Sequence, residues 1–109
     1  MISEGIRTRC LRDPLPIRLG GLAADLTRIA SCAEDPRDSE AVASLLEEGK
    51  FFAEWAAFQA PPETQAVLAE VQILLAYWQR RWMAGRSEPS MPVQARQWSD
   101  QLLKLSGLV

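Results

Sequence analysis

The sequence predicts an all-α protein in which a single domain folds as a four-helix up-and-down bundle. Apolar residues recur at spacings of three and four in four successive segments, which is the pattern of helices with one buried face. Proline-rich clusters separate these segments and stand where a helix would begin. No stretch alternates apolar and polar residues cleanly, so we predict no strand. The domain spans residues 1–109, of which 1–12 are a candidate flexible N-terminal segment.

The first two segments begin at acidic clusters that contain proline. In "DPLP", Asp13 is a candidate N-cap ahead of prolines suited to a first helical turn. In "EDPRDSE", either Asp35 or Asp38 can cap the second segment. The apolar stripes that follow are Leu19, Leu22, Leu26 and Ile29 in the first segment, and Val42, Leu45, Gly49, Phe52 and Ala56 in the second.

The third and fourth segments each end at a glycine. Gly85 is a natural C-terminal cap for the third segment, and Gly107 ends the fourth. The third begins at "QAPPET" and the fourth within "RSEPSMP", where Ser90 is a candidate N-cap. We predict that Trp78 and Trp98 are core residues, because both lie at the centre of an apolar stripe. The two stripes are Val67, Leu68, Val71, Leu74, Leu75, Trp78 and Trp82, and then Met91, Ala95, Trp98, Leu102 and Leu105.

Composition excludes most catalytic and metal chemistry. The chain has no histidine, so a Ser–His–Asp triad, a Cys–His pair and a histidine-ligated haem cannot form. Two cysteines without histidine cannot supply four ligands to a structural zinc. Glu47, Glu48 and Glu54 have the spacing of a solvated helix face. A net charge of -2 gives no basic excess for nucleic acid. We therefore predict a non-enzymatic protein with no cofactor and no nucleic-acid partner.

The expected cellular compartment is based on two kinds of segment that we do not find in the sequence, a signal peptide and a transmembrane helix. The N-terminus has no apolar core of a signal peptide, and no apolar run approaches the roughly 20 residues that span a bilayer. We therefore expect a cytoplasmic protein in which Cys10 and Cys32 are free thiols. A Cys10–Cys32 disulfide is the less expected alternative.

Both middle segments contain more apolar residues than one helix face can use. In "KFFAEWAAF", four aromatic residues fall between positions 51 and 58. Because aromatic residues are enriched at protein interfaces, we expect a protein–protein surface here, with a homodimer as its commonest form. Two alternatives stay open: the side chains cover the N-terminal segment or the loops, or they line a small-molecule pocket between helices. The candidate interaction residues are Phe51, Trp55, Phe58, Ile73 and Tyr77.

A basic cluster near the end of the third segment gives an alternative function. "WQRRWMAGR" contains Arg80, Arg81, Trp82 and Arg86. The ordinary interpretation is favourable charge at the negative end of a helix. The functional interpretation is contact with an anion or a phospholipid, which would make the protein a small-molecule-binding or membrane-surface module. A membrane-surface helix normally carries more basic residues than this one.

Two stretches in the middle of the chain resemble a group of small uncharacterised helical proteins of cyanobacteria. They are "LLEEGKFFAEWAA" and "ETQAVLAEVQILLAYWQRRW". The similarity consists of a leucine pair, an aromatic pair, Glu54–Trp55 and then Glu70, Gln72, Trp78 and Trp82, and it covers the middle third to half of the chain. The resemblance implies a cytosolic helical bundle and implies no activity or site.

Overall fold

A computed structural model describes residues 4–58, 60–86 and 88–107, without the side chain of Cys10. These residues contain helices and loops but no strand, which confirms the predicted all-α class. Residues 4–12 of the candidate flexible segment form a helix that packs against the second of the four predicted helices. The helices are α1 Glu4–Arg12, α2 Leu15–Cys32, α3 Ser39–Ala57, α4 Pro62–Met83 and α5 Met91–Ser106, with a short 3-10 helix, Pro36–Asp38, before α3.

The helices end at the predicted glycines. Gly85 and Gly107 have φ of 74° and 75°, the left-handed conformation that glycine adopts without steric cost. After α4, the N–H of Arg86 donates to the O of Arg81, and the N–H of Gly85 donates to the O of Trp82. These two bonds form a Schellman motif, which turns the chain back at the end of α4.

Asp38 and Ser90 occupy the N-cap positions of α3 and α5, as predicted, whereas the N-cap predicted for α2 is wrong. The N-cap of α2 is Pro14 rather than Asp13, and neither Asp38 before α3 nor Ser90 before α5 makes a side-chain capping bond. Asp35 caps only the 3-10 helix, where its Oδ1 accepts a backbone N–H at 3.0 Å. Prolines occupy the first turns of α2, α4 and α5. Because proline has no N–H, it removes a donor that an N-cap would otherwise satisfy.

Helices α3 and α4 run antiparallel. Near the start of α4, Gln65 Nε2 donates to the O of Ala57 at the end of α3, at 3.1 Å. Near the end of α4, Trp82 Nε1 donates to the O of Ser39 at the start of α3, at 3.0 Å. The two hydrogen bonds lie at opposite ends of the helix pair, so they fix both its direction and its register.

Helix α2 lies between α3 and α5 and is antiparallel to both. Arg18 Nη1, near the start of α2, donates to the O of Trp55 near the end of α3, at 3.0 Å. Arg96, near the start of α5, pairs with Glu34 just beyond the end of α2, at 3.2 Å. The order across the bundle is therefore α4–α3–α2–α5, which is the predicted up-and-down arrangement. The backbones of α4 and α5 approach each other at only a few positions, so the bundle is open along this edge.

The two tryptophans predicted for the core have different environments. Trp78 is 1% exposed, as predicted. Trp98 is half-buried at the edge of the core, and Leu105 is 40% exposed, so both predictions on α5 are wrong. The cause is the rotation of α5: the Oγ of Ser99 donates to the O of Ala23 on α2 at 2.8 Å. This bond turns Ser99 inward and its neighbour Trp98 toward α4.

The buried face of α3 is also rotated from the predicted stripe. Leu46 and Ala53 are buried, whereas Leu45 and Phe52 are half-buried. The face is centred on Gly49, where a Cβ atom would lie 3.2 Å from Leu75 Cδ1 of α4 and 3.9 Å from Leu22 Cδ1 of α2. Because α3 packs against helices on both sides, small residues bring those neighbours close, and the large residues flank them.

Candidate functional site

Three of the five candidate interaction residues lie on α3 or at its C-terminal cap, and their exposure differs. Trp55 is only 7% exposed, which corrects its assignment to an exposed surface. Its ring lies 5.7 Å from the rings of both Phe51 and Phe52, and Phe51 is itself half-buried. Phe58, at the C-terminal cap of α3, is 59% exposed. The helical periodicity of α3 alone placed Trp55 on the flank of the helix and did not predict this burial.

Arg18 of α2 is a buried residue beside the end of α3 that the sequence analysis did not identify. Its guanidinium is buried and donates to the O atoms of Trp55 and Phe58, at 3.0 and 3.1 Å. Its Nε donates to the O of Asp13 at 3.0 Å. Arg18 therefore satisfies carbonyls at the C-terminal end of α3, where a positive charge is favourable. Its role is structural.

The other two candidates lie side by side on α4 and are exposed. Ile73 is 72% exposed and Tyr77 is 40% exposed. Both line a concavity of about 450 Å³ along the open edge between α4 and α5. We call it the α4–α5 groove. Its lining residues are Glu70, Ile73, Leu74, Tyr77, Arg80 and Trp98.

The groove has an apolar floor between two opposite charges. Leu74 and Trp98 are half-buried and pack against the core, while Ile73 and Tyr77 project outward. Glu70 and Arg80 are exposed at either end of this stretch of α4. Neither forms an ion pair with another described residue. An apolar centre with a polar rim is the organisation of a protein interface.

Three of the four residues predicted to contact an anion come together. Arg80, Arg81 and Arg86 line a shallow concavity of about 230 Å³ with Tyr77 and Ala84, which we call the arginine cradle. The Schellman turn explains why Arg86 lies beside residues that precede it on α4. Arg81 pairs with Glu88 at 3.3 Å and lies over the Tyr77 ring, 5.7 Å from its centroid.

Trp82 does not belong to the arginine cradle. Its indole is directed to the start of α3 through the hydrogen bond to Ser39, on another side of α4. Arg80 and Arg86 have no ion-pair partner within the described part of the chain. The cradle therefore offers two uncompensated guanidinium groups and the face of one tyrosine.

A buried carboxyl group is the residue that the sequence analysis missed most clearly. Asp25 of α2 is 0% exposed, and its Oδ1 accepts a hydrogen bond from Arg28 Nη2 at 2.9 Å. Burial, and then the charge and hydrogen bonding of Glu48 on α3, raise the pKa of Asp25 to about 7, against the smaller opposing effect of Arg28. Glu48 is half-buried beside it, so its assignment to a solvated face is wrong.

One feature of the sequence could have identified Asp25 as a buried residue, namely its position within the apolar stripe of α2. It lies between Leu22 and Leu26, at the spacing of a buried position. Its Oδ2 has no donor among the described residues, and a proton shared with Glu48 would supply one. Neither carboxyl lines the α4–α5 groove or the arginine cradle, so the pair bears on stability and pH response.

Metal and membrane searches of the described residues give no candidate. Residues 4–58, 60–86 and 88–107 contain no group of three or more side chains that could hold a metal ion. Within the same residues no helix has both the length and the apolar character to cross a membrane. Cys32 is half-buried with a free thiol, and the Cys10 side chain lies outside the described part.

The described residues form an all-α bundle with an exposed, largely apolar groove between α4 and α5. Comparison of the chain with protein-family models, with curated proteins and with solved structures found no match. The resemblance to the cyanobacterial helical proteins therefore stays a prediction.

Proposed function

We propose that this protein is a non-enzymatic interaction module that associates with a second copy of itself through the α4–α5 groove. The observation that carries the proposal is the exposure of Ile73 and Tyr77 above the half-buried Leu74 and Trp98. The largest exposed apolar patch on a protein is often a functional interaction site. The free thiol of Cys32 supports a cytoplasmic location, because disulfides are rare there.

Aromatic residues in this groove fit the energetics of association. Tyr and Trp are enriched among the residues that contribute most of the binding energy of an interface. Such residues cluster near the centre of the interface. Tyr77 and Trp98 line the groove from opposite helices, and Ile73 lies beside Tyr77. A twofold interface would cover this surface on both copies at once.

Ile73→Glu is expected to convert the dimer to a monomer at micromolar concentration. Burying an isoleucine contributes about 1.5–3 kcal/mol. Two copies lose that burial, so dissociation should become easier by at least about 100-fold. Light scattering of the parent and of the variant measures the change, and circular dichroism checks that the helices remain.

The matched control is Ile17→Glu, the same substitution at an exposed isoleucine of α2 that lies outside the groove. It should leave the dimer intact. A parent protein that is monomeric at micromolar concentration would contradict the proposal. So would equal effects of the two substitutions.

We propose as a second candidate function that the arginine cradle binds an anionic phosphate group. Arg80 and Arg86 share one concavity without a carboxylate partner among the described residues, and this observation favours the proposal. Arginine recognises phosphate through paired N–H donors. Arg86→Gln should weaken binding of inorganic phosphate by about tenfold, since a hydrogen bond to a charged group contributes roughly 1.5–3 kcal/mol.

Calorimetric titration with inorganic phosphate, and flotation with vesicles of anionic lipid, distinguish a free anion from a lipid headgroup. Arg12→Gln is the control, because Arg12 is an exposed arginine of α1 outside the cradle. Absence of both phosphate and vesicle binding would refute this second candidate.

A further inference from the structure

Two strips of residues run along α4 with the same spacing in sequence. One strip faces the core and the other faces solvent. The inward strip is buried and consists of Thr64, Leu68, Val71, Leu75 and Trp78. The second strip is exposed and also advances by alternating steps of four and three residues, which is the repeat of a two-helix contact seam. We call it the outer strip, and its members are Ala66, Glu70, Ile73, Tyr77, Arg80 and Ala84.

Helix α5 borders the outer strip through Trp98 but leaves every member of the strip exposed. Helix α3 packs against another side of α4, and α5 approaches α4 at only a few positions. Each member of the strip is exposed, including Ile73 at 72%. The inward strip already provides the contacts that hold α4 in the bundle. A second seam on the same helix therefore has the geometry to pack against a helix from outside the chain.

The order of residues along the outer strip is self-complementary about residue 75. Ile73 and Tyr77 are equidistant from that position, and so are Glu70 and Arg80. When a second α4 runs antiparallel across the first, centred on residue 75, each position meets its counterpart. The isoleucine then faces a tyrosine, and the glutamate faces an arginine. The two end positions of the strip are alanines, which let the helices approach closely.

We propose that a second copy packs its α4 antiparallel across this strip, about a twofold axis level with residue 75. In this arrangement Glu70 of each copy forms an ion pair with Arg80 of the partner subunit, on both sides of a central apolar cluster. The inference rests on the proposed self-association and adds its direction, register and charge pairs.

Charge excludes the opposite direction. A parallel pair in register would place Glu70 against Glu70 and Arg80 against Arg80, and like charges at contacting positions are destabilising. Antiparallel packing also places opposite ends of the two helix dipoles side by side. Because neither Glu70 nor Arg80 has an ion-pair partner among the described residues, both are available to a second copy.

The test is a charge-swap series on full-length protein. Glu70→Arg alone places Arg against Arg at both rim contacts, and Arg80→Glu alone places Glu against Glu. Each single variant should dissociate at least about tenfold more readily than the parent, because both attractive rim pairs become repulsive. The double variant Glu70→Arg with Arg80→Glu should recover the parent affinity.

Mixing the two single variants provides a second measurement. Variants that had failed to fold could not give the expected result. An equimolar mixture of the Glu70→Arg and Arg80→Glu proteins should form heterodimers, since every rim contact then joins opposite charges. Native mass spectrometry distinguishes these heterodimers by mass. Glu54→Arg is the control, because Glu54 is an exposed acid of α3 outside the strip, and it should leave the affinity unchanged.

The possible outcomes separate this inference from the proposed function. A dimeric parent with restored affinity in the double variant and heterodimers in the mixture supports the register. A dimeric parent whose affinity is indifferent to all three variants overturns the register and leaves self-association in place. A monomeric parent at micromolar concentration overturns both.

Discussion

Trp78→Ala is expected to unfold the domain, or to leave it barely folded at room temperature. The side chain is 1% exposed and belongs to the central cluster with Leu75 and Val71. Truncating a buried tryptophan to alanine costs roughly 3–5 kcal/mol through lost burial and the cavity left behind. A domain of this size has only about 5–15 kcal/mol of stability. Urea unfolding followed by circular dichroism measures the loss without depending on tryptophan fluorescence.

Two further substitutions show that the effect of Trp78→Ala comes from buried volume. Trp98→Ala should cost less, because Trp98 is half-buried at the groove. Trp78→Phe should also cost less, because it keeps most of the apolar volume. It also removes an indole N–H that has no hydrogen-bond acceptor among the described residues. A melting temperature of Trp78→Ala within a few degrees of the parent would show that the register of α4 is wrong.

Stability should fall as the pH rises from about 4 to about 7, and Asp25→Asn should remove most of this change. The pKa of Asp25 rises from 3.8 to about 7 on folding. Between these values the folded protein holds a proton that the unfolded chain has released, so raising the pH favours unfolding. The stabilising contribution is complete below pH 3.8 and is lost once the pH passes about 7.

Asparagine keeps the shape of Asp25 and cannot acquire its charge. The stability of Asp25→Asn relative to the parent should therefore increase with pH and be greatest near pH 8. Urea unfolding of both proteins at several pH values measures the difference between their free energies of unfolding. The contributions of titrating groups common to both proteins cancel in this difference. Asp100→Asn, at an exposed carboxyl of α5, is the control and should follow the parent at every pH. The same pH dependence in parent and Asp25→Asn would show that Asp25 is not the titrating group.

The sequence by itself determined the fold class and the positions of α2 to α5, but it did not predict α1. Prolines cannot donate the backbone hydrogen bonds of a helix interior, so their clusters predicted where α2, α3 and α4 begin. Glycine tolerates the left-handed conformation, so Gly85 and Gly107 predicted where α4 and α5 end. Periodicity placed Trp78 in the core. It also separated Ile73 and Tyr77 from the buried stripe of α4, and these are two of the six residues that line the groove.

Only the tertiary structure decided which large side chains are covered. Periodicity identifies the face that a helix would bury against one neighbour. Helix α3, however, contacts three helices, α1, α2 and α4. Trp55 is buried although it lies off the predicted stripe. The pKa of Asp25 also depends on the tertiary structure, first through burial of its carboxyl group and then through Glu48, which is distant in sequence and adjacent in the fold.

The groove itself depends on how α5 is rotated, which no local pattern determines. Trp98 occupies the centre of the apolar stripe of α5, yet the hydrogen bond from Ser99 to α2 turns it toward the open edge. A serine hydroxyl has no apolar signal in the sequence, and its partner is a backbone carbonyl that every residue carries. The sequence determined which residues of α4 lie outside the core, and the packing of α5 on α2 decided that they border a groove.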